Sequence, residues 1–376
     1  MSNIINHEQW GKMNDYLHSI AVSLGSTVDV STWEGVQKAV RMGLAPDLFP
    51  IGTQLKVNHG VYGEQLYDVV AHDYLKSAKD ENAHTMTLMS HGVLPGVQYD
   101  APEAFYYAEN ELPAGTYNFT ISTSYVSWSV GTYQFILTKA LPKGGQLVIG
   151  GNSDVAITSM QVRAYVDRTT TQVSESANIT QGNGGTNLGT FGNELNHIHR
   201  ISYGSDNYKE SAFRQFLNSS AVAGSVWTPQ TKFDRPPSWV NSLTGFLNGL
   251  DEDFLSVIGE VIVPCSANNT YESPDSATTK GEKYTVVDRF CLASQKEIFG
   301  NSTESVADNS VQFPSYKGAN ATDYIKYRDG SAAAWRLRTS LGWNSHDTCF
   351  VTMRGEIANG SASVFNGGGA PVCTIV

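Results

Sequence analysis

Two guanidinium groups are the first candidates for chemistry. In SAAAWRLRTSLGW, Ser331 to Trp343, Arg336 and Arg338 lie between tryptophans in a run that reads as a buried strand. A guanidinium offers five donors in a rigid fork, so among apolar neighbours it must bridge carboxylates, carbonyls or a bound anion. In an extended segment Trp335, Leu337 and Thr339 face one way, and Arg336 and Arg338 face the other. Such arginines could do chemistry, grip a ligand or tie irregular loops to a sheet. Structural pairing is the reading preferred here, because one fork can satisfy several acceptors at once.

Other reactive side chains make a weaker case. His197 and His199 share one face if extended, as some zinc sites require, but no third ligand follows at a recognisable spacing. His59, His72 and His91 lie in separate early segments. Asp251, Glu252 and Asp253 sit at the start of a helix, where carboxylates complement the helix dipole. The glycine-rich GGNSD and QGNGGTNLG lack the lysine and strand–loop–helix context of a phosphate cradle. YGSDN and ANGSAS do not fit a serine nucleophile elbow, and no paired carboxylates stand out. Cys265, Cys291, Cys349 and Cys373 each lie in an apolar segment without a Cys-x-x-Cys pair, and read as small buried residues. No catalytic residue, metal ligand or cofactor is assigned, and the chain reads as a non-enzyme.

Composition narrows the partners. Only 16% of the 376 residues are charged, and glycine, tyrosine, serine, threonine and asparagine fill the gap, which suits short strands and many turns. The net charge is −11 with no basic cluster, so neither nucleic acid nor an acidic membrane surface is an expected partner. MSNIINHEQW lacks the pattern of a signal peptide, and no run of eighteen apolar residues occurs, so synthesis in a cytoplasm is expected. The sequons at Asn118 and Asn359 then carry little meaning.

The elements that must position these groups fall into three parts. Trp10, Met13, Leu17, Ile20 and Leu24 form one apolar stripe of a helix, and a second helix is expected from a Ser31–Glu34 capping box to Gly43 and Pro46. IGTQLKV, LYDVVAHDYL and HTMTLMSHGVL then alternate as strands. From Pro113 a denser run of strands, punctuated by PAG and PKGG, predicts a small sandwich that closes in the loop TQGNGGTNLGTFGN. Beyond it a helix capped by Ser205 or Asp206 buries Tyr208, Ala212, Phe213, Phe216 and Leu217. Short helices then alternate with strands to the end, including a capped turn at Ser294 and Glu297. The fold class is α+β.

The order of the C-terminal signals resembles a domain of unknown function common in gut bacteria and their prophages. The matching positions are Tyr208, Ser211, Arg214, Leu217 and Asn218; Leu292, Ser294 and Glu297; Trp335, Leu337, Arg338 and Thr339; and Gly369, Pro371 and Ile375. YDVVAHD and HTMTLMS resemble the family's opening strands. Ala334 and Ala370 depart from it, standing where the family carries Trp and Arg. The resemblance implies a C-type-lectin-like domain over residues 49–100 and 186–376, a β-sandwich inserted at 101–185, and a helical anchoring or oligomerisation segment at 1–48. The lectin calcium motifs are absent, and the four cysteines do not match the setting of the enzymes that share that fold.

The resemblance further implies a tailed-phage virion component, in a tail, fibre or head decoration, made in the bacterial host cytoplasm. Its partners would be other virion proteins, further copies of itself and a host-surface glycan or protein. Alternatives are a glycan- or cell-wall-acting enzyme on the virion, or a purely architectural subunit. The candidate binding residues are Trp343, Asn344, His346, Asp347, Asn359, Phe365 and Asn366, in loops joining the last strands. Trp335, Arg338, Tyr208, Arg214 and Asn218 are the expected structural residues.

Overall fold

A computed structural model describes residues 28–121, 129–150, 161–169, 171–191, 206–268, 281–302, 307–341, 347–363 and 367–376. The expected first helix, with Trp10 to Leu24, lies outside the described residues. The protein is mixed α and β, mostly β, with several separate sheets.

One five-stranded antiparallel sheet gathers both ends of the described chain. Its order is Gln54–His59, Gly63–His72, Met86–Ser90, Val372–Ile375 and Phe290–Cys291. The last strand thus seats between an early one and a late one, pairing Cys373 with Leu88 on one side and Phe290 on the other. All residues of Met86–Ser90 and of Val372–Ile375 are buried, so these central strands do not show the alternation of a half-exposed sheet. Helix Trp33–Arg41 docks with Trp33 against Phe254 of helix Glu252–Val257, their ring centroids 4.7 Å apart.

Two further sheets carry the C-terminal half. One orders Gly281–Asp288, Val261–Asn268 and Lys76–Ser77; the other orders Ile357–Ser361, Asp347–Val351, Trp335–Ser340 and Gly368–Gly369. The hairpin Lys326–Arg328/Ser331–Ala333 turns on Asp329 and Gly330, both at positive φ (50° and 76°), the mirror-image turn that fits strand twist. Gly369 marks a close approach: a Cβ there would meet the Phe213 ring at 2.7 Å.

Between these parts, two four-stranded sheets enclose a second apolar core. Tyr106–Tyr107, Gln146–Gly150, Gln161–Tyr165 and Gln172–Asn178 form one sheet. Thr180–Gln181, Gly131–Leu137, Gly115–Ile121 and Thr186–Phe191 form the other. Phe105, Phe119, Phe135, Leu147 and Val162 fill the space between, an arrangement compatible with the expected small sandwich. The glycine-rich run expected as a loop is instead partly strand: Thr186–Phe191 pairs in parallel with Gly115–Ile121. Its backbone completes a ladder, which compensates for its few apolar side chains.

Three expected caps move. The cap of Trp33–Arg41 is Thr32, whose side chain accepts from Gly35 N, while Ser31 bonds Asp29 instead. Pro46 does not stop that helix but opens the next, Ala45–Leu48, where a missing N–H costs nothing. Helix Ala212–Leu217 is capped by Ser211, not by Ser205 or Asp206. Ser294 caps as expected, in a full capping box with Glu297, and Asp251, expected at a helix start, is its N-cap.

Candidate functional site

Arg338 and Arg336 are both fully buried in strand Trp335–Ser340, and so are Trp335 and Leu337. Arg338 spends its fork on the protein itself. Nη1 donates to Glu297 Oε2 at 2.6 Å and Leu292 O at 2.7 Å, Nη2 to Glu297 Oε1 at 2.7 Å, and Nε to Pro264 O at 2.8 Å. Asp308 adds a second carboxylate at 3.8 Å. Burial opposes the charge, but Glu297 and Asp308 outweigh it and hold the Arg338 guanidinium well above its ordinary range. The geometry is that of an internal clamp.

Arg336 donates to Thr348 Oγ1 and, at 3.0 Å, to Ser361 O, with its guanidinium 5.6 Å from the centre of the Tyr99 ring. Burial pulls it down to about 9, with Tyr99 and Asp347 opposing that fall. Nearby, Asp206 is buried, its Oδ2 accepting from Leu341 N at 2.9 Å. Burial pushes this carboxyl well above its usual range, and Asp347 adds to the shift.

Of the candidate binding residues, Asp347 and Asn359 lie on adjacent strands, two rungs apart in one antiparallel ladder (Asp347↔Ser361, Cys349↔Asn359). Trp343, Asn344, His346, Phe365 and Asn366 lie outside the described residues, as do His197 and His199. His59, His72 and His91 bond within the fold. His59 Nε2 meets Phe246 O at 2.8 Å, His72 Nε2 meets Phe49 O at 3.0 Å, and His91 pairs with Asp68 at 2.9 Å. All four cysteines are buried, and among the described residues no group of three His, Cys, Asp or Glu side chains is placed to hold a metal ion.

Helix Ala212–Leu217 brings the remaining structural residues together. Tyr208 is buried behind it, and Ser211 Oγ accepts from Arg214 N at 3.2 Å. Arg214 reaches strand Gly281–Asp288, its Nε 2.9 Å from both oxygens of Asp288 and its Nη2 2.7 Å from Oδ1. Burial lifts the Asp288 carboxyl despite Arg214; the same burial works against Arg214, whose pKa Asp288 nonetheless raises. Cost and attraction largely offset, as buried ion pairs do. Asn218 ends the helix by bonding the backbone of Arg289 and Phe290.

Beside this pair opens a groove of about 720 Å³. Its walls carry the amides and hydroxyls of Gln215, Asn218, Ser219, Ser220, Thr228 and Gln230. Gln215 Oε1 accepts from Thr228 N at 2.8 Å, which fixes one wall to the other. Such a surface donates and accepts hydrogen bonds in several directions without a nucleophile or a strained base. No spacing in the sequence singled it out; only Arg214 and Asn218 were named there.

Comparison with known proteins adds one result. Residues 164–376, more than half of the chain and including the groove, match the pattern of the domain of unknown function DUF6273. No curated protein and no solved structure matches.

Proposed function

We propose a function from one premise: the chain belongs to the family of the domain of unknown function DUF6273. It is a non-enzymatic structural component of a tailed-phage virion, of C-type-lectin-like fold, that displays a surface for recognition of the host or its glycans. Its place among virion proteins rests on the order of motifs from Tyr208 to Ile375, and its recognition role on the groove. The observation that carries the recognition role is how the polar groups are divided. Arg338 and Glu297 are closed inside the fold, and Arg214 and Asp288 pair with each other. Besides Arg289 and Glu260, the polar groups the groove offers a ligand are amides and hydroxyls. That division suits reversible hydrogen bonding to a hydroxylated surface.

Two measurements test this. Antibody labelling of purified particles should decorate their surface. The purified chain should also sediment with host cell-wall preparations and release no soluble fragments. Absence from particles, or release of fragments by the chain, overturns the reading.

A further inference from the structure

The segment Asp288–Phe290 holds one side chain outward. Arg214 ties down Asp288, while Asn218 Oδ1 accepts from Arg289 N at 3.0 Å and Phe290 N at 3.1 Å, and its Nδ2 donates to Phe290 O at 2.8 Å. Asp288 and Phe290 are buried, and Arg289 between them is exposed. Its guanidinium has no carboxylate partner among the described residues.

Arg289 also stands where two cavities meet. The groove of about 720 Å³ and a second of about 530 Å³ share Arg289 and Glu260 in their walls. The second adds exposed Lys79 and Asp80, and Arg41, whose Nε donates to Val376 O at 3.2 Å in the same wall. Among the described residues, no Trp, Tyr or Phe lines either cavity.

We propose that the two cavities form one cleft for a sparsely acidic glycan, a hydroxyl-rich chain bearing isolated carboxylate or phosphate groups, with Arg289 taking the anion. This rests on the recognition reading above and names its ligand class. Without an aromatic platform, stacking on sugar faces is not available, so hydrogen bonds and charge must supply selectivity. The amides and hydroxyls suit sugar hydroxyls, and the Arg289 guanidinium suits an anion through charge-assisted bonds, while Glu260 and Asp80 in the same walls limit how much negative charge the cleft accepts. A net charge of −11 repels a dense polyanion at range, so few and separated charges fit better than a polyphosphate.

The test is calorimetric titration of the full chain with four probes: an oligosaccharide carrying one uronic acid, the same sugar with that carboxyl reduced to an alcohol, its phosphate-bearing counterpart, and an acidic peptide of equal charge. At least one acidic sugar should bind about tenfold tighter than the neutral one, the order of one charge-assisted hydrogen bond. The two acidic arms identify the anion. Arg289→Ala should remove the difference with no change in Tm, and Arg289→Lys should retain part of it. Equal affinity for acidic and neutral sugars, or full acidic preference in Arg289→Ala, overturns the proposal and leaves glycan recognition standing. Binding of the peptide alone, or of no probe, also overturns it, and sedimentation with host cell wall then separately decides the wider reading.

Discussion

Arg338 and Glu297 meet fork to fork, at 2.6 and 2.7 Å, with side chains 1% and 0% exposed. The same carboxylate accepts from Ser294 N at 2.8 Å and so caps helix Gln295–Phe299. One acidic side chain therefore joins a strand, a helix start and, through Arg338, the carbonyls of Leu292 and Pro264.

Removing one partner should strip the other of its closest countercharge inside the fold, which costs ~3–5 kcal/mol. Arg338→Met and Glu297→Leu should each lower the unfolding free energy extrapolated from urea titration by an amount of that order. The double variant should be less damaged than the sum, because the two closest charges leave together, yet still impaired by the lost cap and by Asp308 left without its cation. Strictly additive losses would show that the pair is not coupled.

His59 is set by its neighbours in one neutral form. Its Nδ1 accepts from Val61 N at 3.1 Å, which leaves Nε2–H to donate to Phe246 O. Burial lowers the pKa of His59, and likewise that of His72. The unfolded chain then takes up protons first as pH falls through the ordinary histidine value of 6.5, and stability declines from there downward. Equilibrium unfolding at stepped pH should show this loss, with a shallower slope in His59→Gln. An unchanged slope in that variant would remove His59 from the acid response.

Much of the fold was legible because local rules agreed with it. The alternation of IGTQLKV and LYDVVAHDYL overlaps the strands at 54–59 and 63–72, and the Ser294–Glu297 spacing announced a cap. Arg338 was readable as a clamp from its surroundings, but its partner lies 41 residues away and no spacing rule connects them. Asp206 misled because an aspartate before a helical run looks like a cap; it is instead a buried acceptor for Leu341 N, and Ser211 takes the cap. The groove was invisible for a different reason. Amides and hydroxyls are abundant throughout this chain, and only tertiary packing gathers Gln215, Thr228 and Asn218 around one space.

The four cysteines offer a probe of that packing. All are buried, and burial pushes the thiols of Cys265, Cys291 and Cys373 up, Cys265 to about 12. A thiol reagent at pH 8 should label none of the four in the folded protein and all four in denaturant, because the thiolate is the reactive form. Labelling kinetics would then follow opening of the fold. Rapid modification of any one under native conditions would mean that its segment opens on its own.

Lys326 gives a pH response of the same sign as His59, in a higher window. Its Nζ is buried, donating to Ser90 O at 2.5 Å and His91 O at 3.4 Å, with the Trp335 ring 5.7 Å away. Burial pulls its pKa from 10.5 down to about 8, with Asp68 opposing the fall. Between those values the unfolded chain holds the proton that the folded one has released, so this group raises stability as pH rises from about 8 to 10.5. The full gain is about 3 kcal/mol at roughly 1.4 kcal/mol per unit. The buried thiols and phenols pull the other way above about pH 9, where unfolded cysteines and tyrosines ionise first. The signal therefore lies in a difference: the stability of the natural protein relative to Lys326→Met should climb over that window and be flat below it. A difference that stays constant from pH 7 to 10 would show that Lys326 keeps its ordinary basicity.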